Sequence, residues 1–341
     1  MIQEWLLALE REIWFYKDNW ESFDTLYLGG GTPSLLSEVE ISKLFELLRK
    51  HFHFIEETEI TFEANPDDLS RDKLILLKDL GITRISLGVQ SFSDRELDFL
   101  GRRHTARQAE FALSLIRELG YRNLSIDLMY GLPDQEMSSW ISTMKRAQDF
   151  KPEHLSCYQM TIHDGTKLGQ LSAEGKLQTL DEEAERSFFL TTSEFLQQKG
   201  YSHYEISNFA LDESNISRHN SKYWQHIPYL GLGPAAHSFT GQERWWNMKS
   251  VKAYCQKLNN GKPPIEDKET LTEEQKKLES LFLGLRTKAG VDLSLIDYHE
   301  KTNSVIQELT TSDLIKIENN RLIPTLKGFA VADSLSLLLA E

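Results

Sequence analysis

Apolar residues along this chain switch between two spacings. Stretches with an apolar residue every three to four positions alternate with short continuous apolar runs, the signature of helices interleaved with buried strands. Residues 1–18 put Trp5, Leu6, Leu9, Ile13 and Tyr16 near one helical face. A run of β-formers at 25–28 follows, then a helix over 38–51 with Ser37 as its cap. The same logic predicts a strand over 58–64 stopped by Asn65-Pro66, and a helix from Ser70 to about Leu80 closed by Gly81. Further strands are predicted at 82–89, 124–129 and 154–160, with helices at 105–119, 136–149 and 181–199. Five such strands, with one more at 202–206, joined by helices through short links, predict a parallel α/β sheet curved into a partial barrel of the (β/α)6 kind. The first helix lacks the strand that would precede it in a βαβ unit.

The alternation stops near residue 206. Residues 207–265 are rich in aromatics, His, Asn and Gly without a clear period. Residues 266–341 form a different, α+β unit. Its helix over 273–287 is expected to bury Leu278, Leu281, Phe282 and Leu285, and a hairpin turns at Asn319-Asn320 between 315–318 and 321–323. A last helix starts at Thr325. Helices around one short hairpin resemble a winged helix, so three segments are expected: a barrel (1–206), a rim segment (207–265) and a small C-terminal domain (266–341). No internal repeat is present.

Charge and composition narrow the function. The chain holds 38 basic and 52 acidic residues, a net charge of −14, which argues against nucleic acid as a partner. The winged-helix-like unit itself carries 9 basic against 14 acidic residues, favouring a structural or lid role. No apolar run would span a bilayer, and the first residues lack the charged-then-apolar order of a signal peptide. Two cysteines, Cys157 and Cys255, exclude a disulfide framework and fit a reducing cytoplasm.

In a parallel barrel, functional side chains gather at the C-terminal ends of strands. Here those ends carry Gly29-Gly30-Gly31-Thr32, then Glu63, Gln90 and Asp127, and finally Tyr158, Gln159 and Thr161. Three glycines in a row are either a tight turn or a loop that lets the backbone approach a ligand. Carboxylates suit amine or hydroxyl donors, and an amide both donates and accepts. The set is suited to a polar, nucleoside-sized cofactor with an amino group, and Arg102 could pair with its carboxylate. A generic lyase using Glu63 and Asp127 as acid and base is another use of the same groups.

Four segments together carry a resemblance. Gly29-Gly30-Gly31-Thr32-Pro33, Glu63-Ala64-Asn65-Pro66, Gly88-Val89-Gln90-Ser91-Phe92 and Asp127-Leu128-Met129-Tyr130-Gly131-Leu132-Pro133 resemble radical S-adenosylmethionine (radical SAM) enzymes of the oxygen-independent coproporphyrinogen III oxidase class. The likeness covers essentially the whole chain. It implies that Gly30, Gly31, Thr32, Glu63, Gln90, Arg102 and Asp127 line S-adenosylmethionine, with Thr161 near it. The loop from Gly231 to His237 matches another family segment, with His237 where the oxidases carry an apolar residue.

Within the class the sequence is most similar to the heme-chaperone branch, HemW, through His219-Asn220-Ser221-Lys222-Tyr223-Trp224, an HNxxYW motif. The resemblance implies heme as ligand and heme-accepting proteins as partners. His219 would ligate the iron, and Tyr223 and Trp224 would face the macrocycle. A homodimer and peripheral membrane association stay open. The family hallmark, a CxxxCxxC motif for a [4Fe–4S] cluster, has no counterpart among Cys157 and Cys255, which are far apart. The cluster is expected for the family, but its ligands are absent here. An N-terminally shortened chain or a member without radical chemistry would account for this, and the intact downstream motifs favour the former. Two functions follow: a heme chaperone, or an oxidase that decarboxylates the propionates of coproporphyrinogen III.

Overall fold

A computed structural model describes residues 2–177, 179–297 and 300–340. Helix α1 (Ile2–Tyr16) leads into β1 (Phe23–Leu28), α2 (Glu38–His51) and β2 (Phe54–Ala64). Then come α3 (Arg71–Asp79), β3 (Arg84–Gln90), α4 (Asp94–Phe99), α5 (Ala106–Glu118), β4 (Leu124–Tyr130), α6 (Met137–Gln148) and β5 (His154–Gln159). After α7 (Lys167–Ala173) and α8 (Glu182–Gln198), β6 (Ser202–Glu205) and β7 (Asn208–Ala210) complete a seven-stranded sheet in the order β1-β2-β3-β4-β5-β7-β6. Strands β1 to β5 are parallel, and their alternation with helices is the predicted one.

Local chemistry sets the helix starts. Ser37 accepts from the Glu40 N–H while Glu40 reaches back to the Ser37 N–H, a capping box. Thr105 and Gln108 form a second capping box at α5, and the side chains of Ser70 and Asp181 cap α3 and α8 by accepting from the N–H three residues on.

Within residues 1–206 two helices, α4 and α7, escape the sequence pattern because six or seven residues are too few to show a period. The expected sixth strand also differs. The chain reverses at Ile206-Ser207, and β7 inserts between β5 and β6, antiparallel to both. The predicted strand at 202–206 is thus present and runs in the direction of β1 to β5, but it pairs with β7 and not with β5, so the sheet ends in a hairpin.

Residues 207–265, aperiodic in sequence, are well ordered in elements. They hold α9 (Arg218–Trp224), β8 (His237–Phe239), β9 (Glu243–Asn247), α10 (Val251–Asn259) and the start of β10 (Ile265–Thr270). The last three strands form an antiparallel sheet, β10-β9-β8. The C-terminal part contains α11 (Glu273–Gly284), β11 (Val291–Asp292), α12 (Glu300–Thr311), β12 (Ile315–Glu318), β13 (Arg321–Pro324), α13 (Leu326–Phe329) and α14 (Ala332–Ala340). The β12–β13 hairpin turns where predicted, with Asn319 at φ 49° and Asn320 at φ 62°, the left-handed pair of a tight hairpin turn. Helix α11 ends three residues early. It buries Leu281 and leaves Leu278 exposed, correcting the expected face, while Leu285 is buried just beyond its end.

One face of each parallel strand feeds the core. Phe62, Ile85, Leu87, Ile126, Leu128 and Leu155 have no exposed surface and pack beneath the helices. Because side chains alternate along a strand, the residues between them point into the concave face. There the chain carries polar groups.

Candidate functional site

The concave face of β1 to β5 encloses a cleft of about 270 Å³. Thr61 and Glu63 enter it from β2, and Arg84, Ser86, Gly88 and Gln90 from β3. Ser125 and Asp127 come from β4, and His154, Ser156 and Tyr158 from β5. In β3, β4 and β5 these residues follow a period of two, and in β2 Ala64 joins the lining directly after Glu63.

The glycine loop closes one end. Gly31 and Thr32 line the cleft, while the Gly30 N–H donates to Glu63 Oε2 at 3.2 Å. Tyr27 Oη donates to the other Glu63 oxygen at 2.6 Å. A Cβ at Gly29 would sit 2.5 Å from the Tyr27 ring and 2.6 Å from the Glu63 carboxyl carbon, so only glycine allows this approach. Gly30 adopts φ +80°, which also favours glycine.

Gln90 stands at a bulge where β3 shifts register against β4, with φ 68°, a left-handed backbone unusual for a side chain of this size. Its buried Oε1 has no partner, nor does the Nε of Arg102. Arg102 Nη2 donates to Asn65 Oδ1 at 2.8 Å and to Gly88 O at 3.1 Å. Its neighbour Arg103 pairs with Asp67 and Asp68, whereas Arg102 has no carboxylate partner among the described residues. Orphaned polar atoms on a cleft wall are what a polar ligand would satisfy.

Asp127 accepts from Ser86 Oγ at 3.1 Å. Burial pushes its carboxyl up to about 6, against the opposing pull of the Ser156 and Ser86 hydrogen bonds. Below it, Ser125 Oγ lies 2.8 Å from His154 Nδ1, whose Nε2 lies 2.8 Å from Tyr204 Oη. Desolvation keeps buried His154 neutral. Tyr27, Arg84, Ser86, His154 and Ser156 escaped a reading confined to strand ends. The polar half of the two-residue alternation was the signal that could have found them. Thr161 is exposed beyond β5 and does not line the cleft.

The HNxxYW segment forms α9, seated beside β1. Ser217 caps it, and Lys222 pairs with Asp24 at 2.8 Å. The imidazole of His219 stacks on Tyr27 with ring centres 4.9 Å apart and planes 22° apart. Its Nδ1 lies 3.0 Å from Thr25 Oγ1 and its Nε2 lies 2.9 Å from Tyr223 Oη. Burial first, and the nearby Lys222 second, push His219 down to about 4, so the ring is neutral and competent as a metal ligand. Tyr223, one turn on, shares its face; half-buried Trp224, five residues on, is rotated off it. Tyr27 thus touches both groups of predicted residues, the cleft through its hydroxyl and α9 through its ring.

The cysteines are elsewhere. Cys157 is buried on the core side of β5, where burial pushes its thiol up, and Cys255 is packed against α1 from α10. Among the described residues, no three His, Cys, Asp or Glu side chains are grouped to hold a metal ion. The residues of this chain do not fit an iron–sulfur cluster. No helix among them is long and apolar enough to cross a membrane.

Residues 6–147 match the radical SAM superfamily profile. The heme chaperone HemW of Bacillus subtilis is 35% identical over 293 residues, covering 85% of this chain and 77% of that protein. HemW of Lactococcus lactis is 32% identical over 320 residues, covering 92% and 84%. The bovine mitochondrial radical S-adenosyl methionine domain-containing protein 1 is 32% identical, covering 93% and 75%. The solved structure of Escherichia coli coproporphyrinogen III oxidase (HemN), a radical SAM enzyme, superposes with a TM-score of 0.84 over 99% of this chain and 83% of that one, at 24% identity, a likeness of fold. The chain belongs to the radical SAM superfamily, within the family of the HemW heme chaperones.

Proposed function

We propose that this protein holds heme on α9 and passes it to heme-accepting proteins, and that its cleft binds S-adenosylmethionine. The observation that carries the reading is the imidazole of His219, kept neutral at the edge of the sheet in a helix otherwise pinned to β1. A neutral ring offers a lone pair to iron, and aromatic neighbours offer flat apolar faces to a macrocycle. The name of the HemW relatives points the same way.

S-adenosylmethionine, when bound, brings an ammonium, a carboxylate and a ribose diol. Glu63 with the Gly30 loop would take the ammonium, Arg102 the carboxylate and Asp127 the ribose hydroxyls, with Gln90 satisfying its orphaned oxygen. No step is assigned to a cluster, whose ligands this chain lacks. Residues 1–206 then serve as the cofactor-binding half-barrel, 207–265 carry the heme helix, and 266–341 serve as a structural or lid unit.

Titration of the protein with hemin, followed at the Soret band, tests the heme assignment. A Soret band that shifts and weakens in His219→Ala supports it. A band unchanged by that substitution removes His219 as ligand.

A further inference from the structure

An aromatic face for a macrocycle needs no hydroxyl, yet the hydroxyl of Tyr223 is the group that meets His219. The imidazole has no free nitrogen. Nδ1 is turned inward to Thr25, a buried residue on β1, and Nε2 is turned outward to Tyr223 Oη at 2.9 Å. Only Nε2 is on a side from which iron could approach. In the neutral tautomer that gives Nε2 a lone pair, Nδ1–H donates to Thr25 and the Tyr223 hydroxyl donates into that lone pair. The phenol therefore occupies the coordination position.

We propose that Tyr223 is a latch on His219: its hydroxyl caps Nε2 in the heme-free protein and must swing away before iron binds. This rests on the reading of His219 as the heme ligand. The contacts around the ring differ in how easily they can open. Thr25 holds Nδ1 from a buried strand, Tyr27 stacks on the ring face, and Glu59 holds the backbone N–H. Tyr223 is 38% exposed and meets its neighbours edge-on, His219 at 85° and Tyr229 at 82°. It can rotate into solvent without opening the core, leaving the imidazole oriented by Thr25 and Tyr27. A ligand pre-oriented through its other nitrogen is the usual arrangement in metal sites. Here the lone pair is also kept occupied until heme arrives.

The test compares hemin binding to the wild type and to Tyr223→Phe, which keeps the ring and removes the hydroxyl. Losing one partly exposed hydrogen bond that heme must otherwise break tightens hemin binding by about 3- to 10-fold. Because the latch exists only in the free state, the gain is in the on-rate, with the off-rate and the Soret maximum unchanged. Equal or weaker binding, or a change confined to the off-rate, overturns the latch. A second measurement needs no heme. The nitrogen-15 resonance of His219 Nε2 in the heme-free protein moves in Tyr223→Phe if the hydroxyl caps it, and an unmoved resonance overturns the latch. If the Soret band ignores His219→Ala while the Nε2 resonance does move, the hydrogen bond is real but the heme assignment has failed and the latch with it. A Soret band that responds to His219→Ala with an unmoved resonance leaves the heme assignment standing and overturns the latch alone.

Discussion

The carboxylate of Glu59, buried on β2, lies 3.0 Å from the backbone N–H of His219 and 3.3 Å from that of Arg218. It supplies an acceptor, with negative charge, to the first turn of α9, where N–H groups have no partner within the helix. The sheet thus holds α9 by its backbone as well as through Lys222 and Asp24.

Removing that acceptor should release the helix. Glu59→Ala is expected to cost about 2 kcal/mol of stability, the range for a charge-assisted hydrogen bond with its partners left unmade. Hydrogen exchange at 218–224 should accelerate, and hemin should bind about tenfold more weakly. Unchanged exchange in that segment would show that the cap does not hold α9.

Asp127 sets a pH dependence for the cleft. With its carboxyl pushed up to about 6, it is protonated below that value and loses acceptor capacity toward ribose hydroxyls. Calorimetric titration with S-adenosylmethionine should show affinity rising between pH 5 and 7. Asp127→Asn should bind roughly tenfold more weakly at pH 7.5, by the loss of a hydrogen bond to a charged group, and show a flat profile. A wild-type profile that is also flat would remove Asp127 from the ligand.

The glycine loop separates two effects that a single substitution would confuse. At Gly29 an added Cβ strikes Tyr27 and Glu63, whereas at Gly30 it meets open space and only the φ of +80° resists. Gly30→Ala should therefore cost about 1–2 kcal/mol of backbone strain. Gly29→Ala should displace the Tyr27–Glu63 pair, abolish measurable S-adenosylmethionine binding and, through the Tyr27 stack, alter the hemin spectrum. Equal effects of the two variants on both ligands would contradict this geometry.

Glu12, with no exposed surface, accepts from the Gly233 N–H at 2.8 Å, from Asn247 Nδ2 and from Tyr254 Oη, tying α1 to the 231–237 loop and α10. Burial raises its carboxyl to about 7 in spite of those donors. A raised folded-state pKa means that the folded protein holds more protons than the unfolded chain between about 4.5 and 7. Its contribution is therefore fully present below pH 4.5 and is lost as pH rises through 7. Glu12→Gln should flatten the thermal-stability profile across that window by ~2–3 kcal/mol. Parallel profiles for wild type and variant would place the titration elsewhere.

How much of this was legible depends on whether the signal is local. The caps at Ser37 and Ser70 and the Asn319-Asn320 turn all lie within four residues of what they control, and each acts where it was read. The segments around Gly29, Glu63, Gln90 and Asp127 meet at one cleft because parallel strands align their C-terminal ends. Glu12 was hidden because it lies within an apolar helical face, and only partners from residues 233, 247 and 254 make its burial tolerable. Likewise, β7 is three residues long and takes its place only by pairing with β5 and β6.

The amino-acid sequence by itself determined the order of helices and strands, the polar and apolar faces of each strand, and the residue types available for chemistry. These follow from short-range sterics and from a side-chain period of two or 3.6. Tertiary structure alone decided that α9 lies against β1, that Tyr27 joins Glu63 to His219, and that Tyr223 covers the one outward nitrogen of that imidazole. Contacts across some 190 residues of chain depend on how the rim segment folds back over the sheet, and no local pattern encodes that placement.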